Sequence, residues 1–109
     1  MEIKTSQEFF ETKLPVRFKP EKAKDIEATI QVNLTGNNPN DWVIIVKNQK
    51  IQTFQGITEE PILILKVSEE DFLEIVNGKI SIEKAFFSGK VDVKGDIAIA
   101  LKLKDTGFL

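Results

Sequence analysis

The clearest pattern in the chain begins at Ile26, where Ile26, Ala28, Ile30, Val32 and Leu34 alternate with Glu27, Thr29, Gln31 and Asn33. Such a two-residue period predicts a strand with one buried face. Gly36-Asn37-Asn38-Pro39-Asn40-Asp41 is a dense turn signal, and Trp42-Val43-Ile44-Ile45-Val46 is then apolar on both faces, as in a strand covered on both sides. Lys47-Asn48-Gln49-Lys50 reverses the chain into a weaker, more polar strand from Ile51 to Gln55. Gly56 marks a bulge or turn, and Pro61 leads into the apolar strand Ile62-Leu63-Ile64-Leu65-Lys66-Val67.

After Val67 the period widens to that of a helix. Ser68 is a strong N-cap, Glu69, Glu70 and Asp71 complement the helix dipole in the first turn, and Asn77-Gly78 supplies a left-handed stop. The apolar face is Phe72, Leu73, Ile75 and Val76. Ser81 caps a second short helix carrying Ile82, Ala85 and Phe86, which Gly89 ends, and Val91 and Val93 form one face of a brief strand. Upstream, Thr5 or Ser6 caps a first helix with Glu8 completing a capping box, and Phe9, Phe10 and Lys13 follow before Pro15 is expected to stop it. The Lys- and Pro-rich stretch from Val16 to Asp25 reads as a surface connection. The segment after Asp96 is ambiguous: Ile97, Ile99, Leu101 and Leu103 alternate like a strand, whereas the alanines and lysines suit a helix.

Composition narrows the chemistry more than it narrows the fold. The 109 residues fit a single domain over 1–109. With no Cys there are no disulfides, thiolate metal sites or thiol nucleophiles, and with no His the commonest general base and transition-metal ligand are missing together. No catalytic residue, metal site or cofactor is expected, and an enzyme is the least favoured reading. A net charge of −2 argues against nucleic acid as a partner. No apolar run approaches the roughly 20 residues that span a bilayer and no signal-peptide core is visible, so a cytoplasmic location is expected. Thr106-Gly107-Phe108-Leu109 is not a peroxisomal tripeptide of the Ser-Lys-Leu kind.

The order and spacing of several elements carry a resemblance. These are the alternating strand ending in Leu34-Thr35-Gly36, the Trp42 that begins the next strand, the Ser68-Glu69-Glu70 helix start, Gly78-Lys79, Ala85-Phe86, Ser88-Gly89-Lys90 and Gly95-Asp96. From Ile26 to Leu103 the chain resembles the sterol carrier protein 2 family of small lipid-binding domains. The turn at Lys47-Asn48-Gln49-Lys50 departs from it in lacking a glycine, and Phe87 stands where a methionine is common. The resemblance implies an α+β fold: a single five-stranded, mostly antiparallel twisted sheet with helices packed on one face, enclosing an apolar tunnel. It also selects a helix for the segment after Asp96.

It implies a function as well, namely non-enzymatic carriage of a fatty acid, acyl-CoA, sterol or isoprenoid lipid. Carried onto this chain, the tunnel-lining positions are Phe72 and Ile75 on the first helix after the sheet, Phe86 on the second, and Ile97, Leu101 and Leu103 on the last. Ile30, Val32 and Ile44 are added from the sheet. The last helix is the expected gate. The alternative from another class is an accessory or assembly protein whose groove receives a protein partner, or presents a lipid substrate such as a quinone precursor to enzymes; a homodimer burying the same groove is a variant of that alternative, so a monomer or a homodimer is expected. The basic stretch Lys13, Arg17, Lys19, Lys22 and Lys24 is compatible with transient contact with a membrane surface, although a solvated face is its commoner fate.

Each of these apolar residues, taken alone, is more often core than ligand contact. An empty void of ~300 Å³ would cost on the order of 7 kcal/mol, against a domain stability of about 5–15 kcal/mol. A lipid site in this chain is therefore expected to be occupied, hydrated or partly collapsed.

Overall fold

The computed structural model describes residues 2–109. Strands β1 (Ala28–Thr35), β2 (Asn40–Lys47), β3 (Lys50–Gln55), β4 (Leu63–Ser68) and β5 (Val91–Gly95) form one sheet in the order β3-β2-β1-β4-β5. Neighbours are antiparallel except β1 and β4, which run parallel. The fold is thus α+β with a mixed, mostly antiparallel sheet.

The parallel pair requires a crossover from the β3 edge past β2 and β1 to β4, made by residues 56–62. Gln31, on the polar side of the β1 alternation, fastens this crossover and is buried by it. Its side-chain amide donates to Gly56 O (3.0 Å) and Trp42 O (3.1 Å), and its carbonyl accepts from Thr58 N (2.8 Å).

The helices cover the face carrying Ala28, Ile30, Val32 and Leu34. α1 (Ser6–Glu8) opens with Thr5 Oγ1 accepting from Glu8 N (3.0 Å), while the Glu8 carboxylate accepts from Lys4 N (3.0 Å). This closes a capping box one residue wider than usual. Pro15 does not end the helix. It lacks an N–H and crowds the carbonyl four residues back, and the strain is relieved by a π-helical turn over Phe9–Lys13, in which Leu14 N bonds to Phe9 O. The helix resumes as α2 (Leu14–Arg17) with Pro15 in its first turn. The following stretch is less superficial than expected, because Phe18 and Ala23 reach the core on either side of a 3-10 turn at Pro20–Lys22.

α3 (Glu69–Val76), α4 (Ile82–Phe87) and α5 (Ile97–Asp105) are capped by Ser68, Ser81 and Asp96, which accept from Asp71 N, Lys84 N and Ile99 N. The ambiguous last segment is a helix, as the resemblance implied. Among the described residues no helix is long and apolar enough to cross a membrane.

Two packing regimes share the covered face. Over β1–β3 the core is aromatic. Phe10 stacks on Trp42 (4.8 Å between centroids) and on Phe72 (5.3 Å), and Phe9 meets Phe10 and Phe72 edge-on at 5.2 and 5.4 Å. Each such pair adds about 0.5–1.5 kcal/mol beyond the area it buries. A polar clamp closes the block: Trp42 Nε1 donates to Asn40 Oδ1 (2.6 Å), Asn40 Nδ2 donates to Glu69 Oε2 (3.3 Å), and the buried Ser6 hydroxyl donates to Glu69 Oε2 (2.5 Å). Over β4 and β5 the packing is mostly aliphatic, with Phe108 among it.

Candidate functional site

The aliphatic side holds a cleft. Leu63 and Leu65 of β4 form its floor with Val93 of β5, Ile82 of α4 forms one wall, Ala100 and Leu103 of α5 form the roof, and Phe108 and Leu109 close its inner end. Register explains the floor: Leu65 pairs with Val93 and Leu63 with Gly95, so apolar side chains from both strands project together. The roof is pinned at its start. Asp96 N donates to Ile62 O (3.0 Å), and a Cβ on Gly95, which sits at φ +113°, would lie 2.3 Å from Ile62 O. Beyond that point α5 touches the sheet chiefly through side chains above β4.

The void in the cleft is only about 60 Å³, well below the ~300 Å³ of small ligand sites. The tunnel that the resemblance implies is not shown among the described residues; at this cleft the walls nearly meet, and an empty apolar cavity of tunnel size would be costly. The cleft adjoins an open hollow of about 290 Å³ bordered by Arg17, Ile75, Ile80 and Glu83, and the two share Ile82, Lys104 and Leu109.

Of the residues expected to line a lipid site, Leu103 lies in the cleft and Ile75 borders the hollow. Ile30, Val32, Ile44 and Phe72 are fully buried in the core, the last within the aromatic block. Phe86, Ile97 and Leu101 are turned outward, with exposures of 44%, 49% and 63%. The split along α5 follows from helix geometry. Leu101 and Leu103 are two residues and about 200° apart, so they cannot face one cavity; Ile97 and Leu101 share one stripe, Ile99 and Leu103 another. Leu63, Leu65, Ile82, Val93 and Phe108 are absent from the sequence-derived set. Leu63 and Leu65 stand beside Ile30 and Val32 in the parallel register, a pairing between distant strands that no local pattern in Ile62–Val67 reveals.

Lys104, which lines the cleft, pairs with Glu83 (3.0 Å) and joins α5 to α4; Lys90, just before β5, pairs with Asp71 (3.7 Å) of α3. Elsewhere on the surface, the hydrogen bond and charge of Lys79 hold the Glu2 carboxyl below its ordinary range, and Glu2 raises Lys79 in return. The acidic turn of α3 serves as a cap and as the anchor for Ser6. Among the described residues no group of three His, Cys, Asp or Glu side chains could hold a metal ion.

A small mixed sheet with a one-sided helical cover and an aliphatic cleft defines a known class of domain. The model of the SCP-2 sterol transfer family matches residues 10–106, and the chain belongs to that family. It is 32% identical over 88 residues to hydroxysteroid dehydrogenase-like protein 2 of Danio rerio, covering 78% of this chain and 21% of that protein. The chain thus spans about a fifth of the length of this curated relative. Its fold is shared with the palmitated sterol carrier protein 2-like 2 of Aedes aegypti (TM-score 0.73, 23% identity, 94% and 93% of the two chains). It is shared as well with the ubiquinone synthesis protein UbiJ (TM-score 0.72, 11% identity, 89% and 88%).

Proposed function

We propose that this domain binds one long-chain hydrophobic molecule, a fatty acid, acyl-CoA, sterol or isoprenoid lipid, and carries it in the cytoplasm without transforming it. The observation that carries this reading is the apolar cleft between β4–β5 and α5, within a chain of the sterol transfer family. Ligand entry parts α5 from β4 along the side-chain contacts and leaves the Gly95 attachment in place. As the cleft widens it reaches Ile30 and Val32, which adjoin Leu63 and Leu65 on the same sheet face, with Ile44 one strand further and Phe72 above. Leu103 and Ile75 are the first contacts; Phe86, Ile97 and Leu101 join only if α4 and α5 rotate. Each buried methylene contributes ~0.8 kcal/mol, so a chain of about fifteen gains on the order of 12 kcal/mol, enough to offset opening of the walls. The mosquito protein of the same fold was solved palmitated, which supports an acyl ligand.

The test is a titration of delipidated protein with dansyl-labelled undecanoic acid. Saturation near one ligand per chain is expected, with displacement by unlabelled fatty acid or acyl-CoA. A second reading, presentation of a lipid to an enzyme, is favoured by the likeness to UbiJ and by the far greater length of the hydroxysteroid dehydrogenase-like relative. Under that reading quinone precursors displace the probe better than fatty acids do. A persistent dimer with no saturable uptake would overturn both.

A further inference from the structure

The residues that close the inner end of the cleft have an unusual attachment. Thr106 is fully buried and tied on three sides: its N–H and hydroxyl both donate to Leu103 O (3.0 and 2.6 Å), and its carbonyl accepts from Lys19 N (2.7 Å). Gly107 follows at φ +90°, packed so tightly that a Cβ there would lie 2.4 Å from Arg17 O. Phe108 is then 2% exposed and lines the cleft together with Leu63, Leu65 and Leu103. Past Gly107, however, neither Phe108 nor Leu109 makes a backbone–backbone hydrogen bond among the described residues. A firmly clamped hinge is followed by an aromatic ring held by apolar contact alone. The next residue, Leu109, borders both the cleft and the open hollow.

We infer that Phe108 is a built-in plug: it occupies the space an acyl chain takes, and uptake of lipid swings it out about Gly107 while Thr106 stays clamped. The inference rests on the lipid-binding reading above and extends it. Displacement breaks no backbone hydrogen bond among the described residues, and the apolar surface the ring gives up is covered by the incoming chain. A plug of this kind lowers apparent affinity by the fraction of molecules in which it is seated. It also keeps the void in the empty protein small.

Delipidated wild type, Phe108→Ala and Phe108→Leu are titrated with dansyl-labelled undecanoic acid, and hydrogen exchange over residues 103–109 is followed with and without the probe. The expected result is about tenfold tighter binding by Phe108→Ala, a smaller gain for Phe108→Leu, and unchanged protection at Thr106 when wild type is loaded. Binding by the variants with none by wild type would support the plug still more strongly. If wild type binds and the folded variants bind equally or more weakly, Phe108 is a fixed wall or a ligand contact, and the plug is overturned while the lipid-binding reading stands. If Phe108→Ala does not fold, the affinity of Phe108→Leu against wild type decides. Saturable uptake by none of the three would overturn lipid binding, and the plug with it.

Discussion

The two halves of the covered sheet face are built from different materials. Over β1–β3, four aromatic rings interlock and the Ser6–Asn40–Glu69 clamp ties the first helix to β2 and α3. Over β4 and β5, mostly aliphatic side chains meet across a 60 Å³ gap under a helix held by backbone hydrogen bonds at its two caps, Asp96 and Thr106. Rings interlock in few ways and resist sliding, whereas leucines and isoleucines repack at low cost. A domain that admits a ligand needs both, a half that keeps the sheet in shape and a half that yields.

The largest expected effect comes from opening the rigid half. Phe10 has no exposed surface and contacts Phe9, Trp42 and Phe72, so Phe10→Ala leaves a cavity its neighbours cannot close. A loss of about 3–5 kcal/mol is expected in urea unfolding, a large part of the total stability. Leu103→Ala, equally buried but beside an existing gap, is expected to cost about 2 kcal/mol, the low end for such a truncation, because that site collapses more readily. Equal losses from the two variants would erase the distinction between the halves.

A middle-sized effect tests the attachment at the start of α5. Gly95→Ala places a methyl group against Ile62 O at a backbone angle that side chains disfavour. The expected cost is about 1–3 kcal/mol, and native-state hydrogen exchange locates it: α5 and β5 amides lose protection while β1 and β2 keep theirs. Uniform loss of protection across the sheet would mean that the two halves open together.

The same contrast governs how much of the molecule is legible in its sequence. β1 is legible because Ile26 to Leu34 alternate without a break and one side of the strand faces the core. The caps at Ser68, Ser81 and Asp96 are legible because capping is local chemistry. Pro15 misleads, since the widened turn that accommodates it depends on Phe9 and Phe10 being held in the core. The cleft is largely illegible. Ile97, Ile99, Leu101 and Leu103 alternate, and only the knowledge that they are helical separates the Leu103 stripe from the Leu101 stripe. Phe108 carries no periodic signal at all, because its burial comes from the tight approach of Gly107 to Arg17, residues 90 positions apart in the chain.

The smallest effect lies at the edge of the rigid half, where sequence and geometry disagree openly. Between β2 and β3, Asn48 and Gln49 both adopt left-handed angles, φ +53° and +61°. Asn tolerates this region, whereas Gln49 carries strain of about 1–2 kcal/mol. Its side chain recovers part of that by donating to Pro20 O (3.1 Å), an exposed bond that ties the hairpin to the 3-10 turn. Gln49→Gly removes the strain but also the bond, and it adds the larger chain entropy of glycine to the unfolded state, a cost of about 0.5–1 kcal/mol. The balance is a gain of about 0.5 kcal/mol, or roughly 2–4 °C in Tm for a domain of this size. Because β3 lies three strands from β4, ligand affinity is expected to stay at the wild-type value. A shift in affinity from this turn would mean that strain in the aromatic half is transmitted to the cleft, and the division of labour between the two halves would then fail at its least perturbing test.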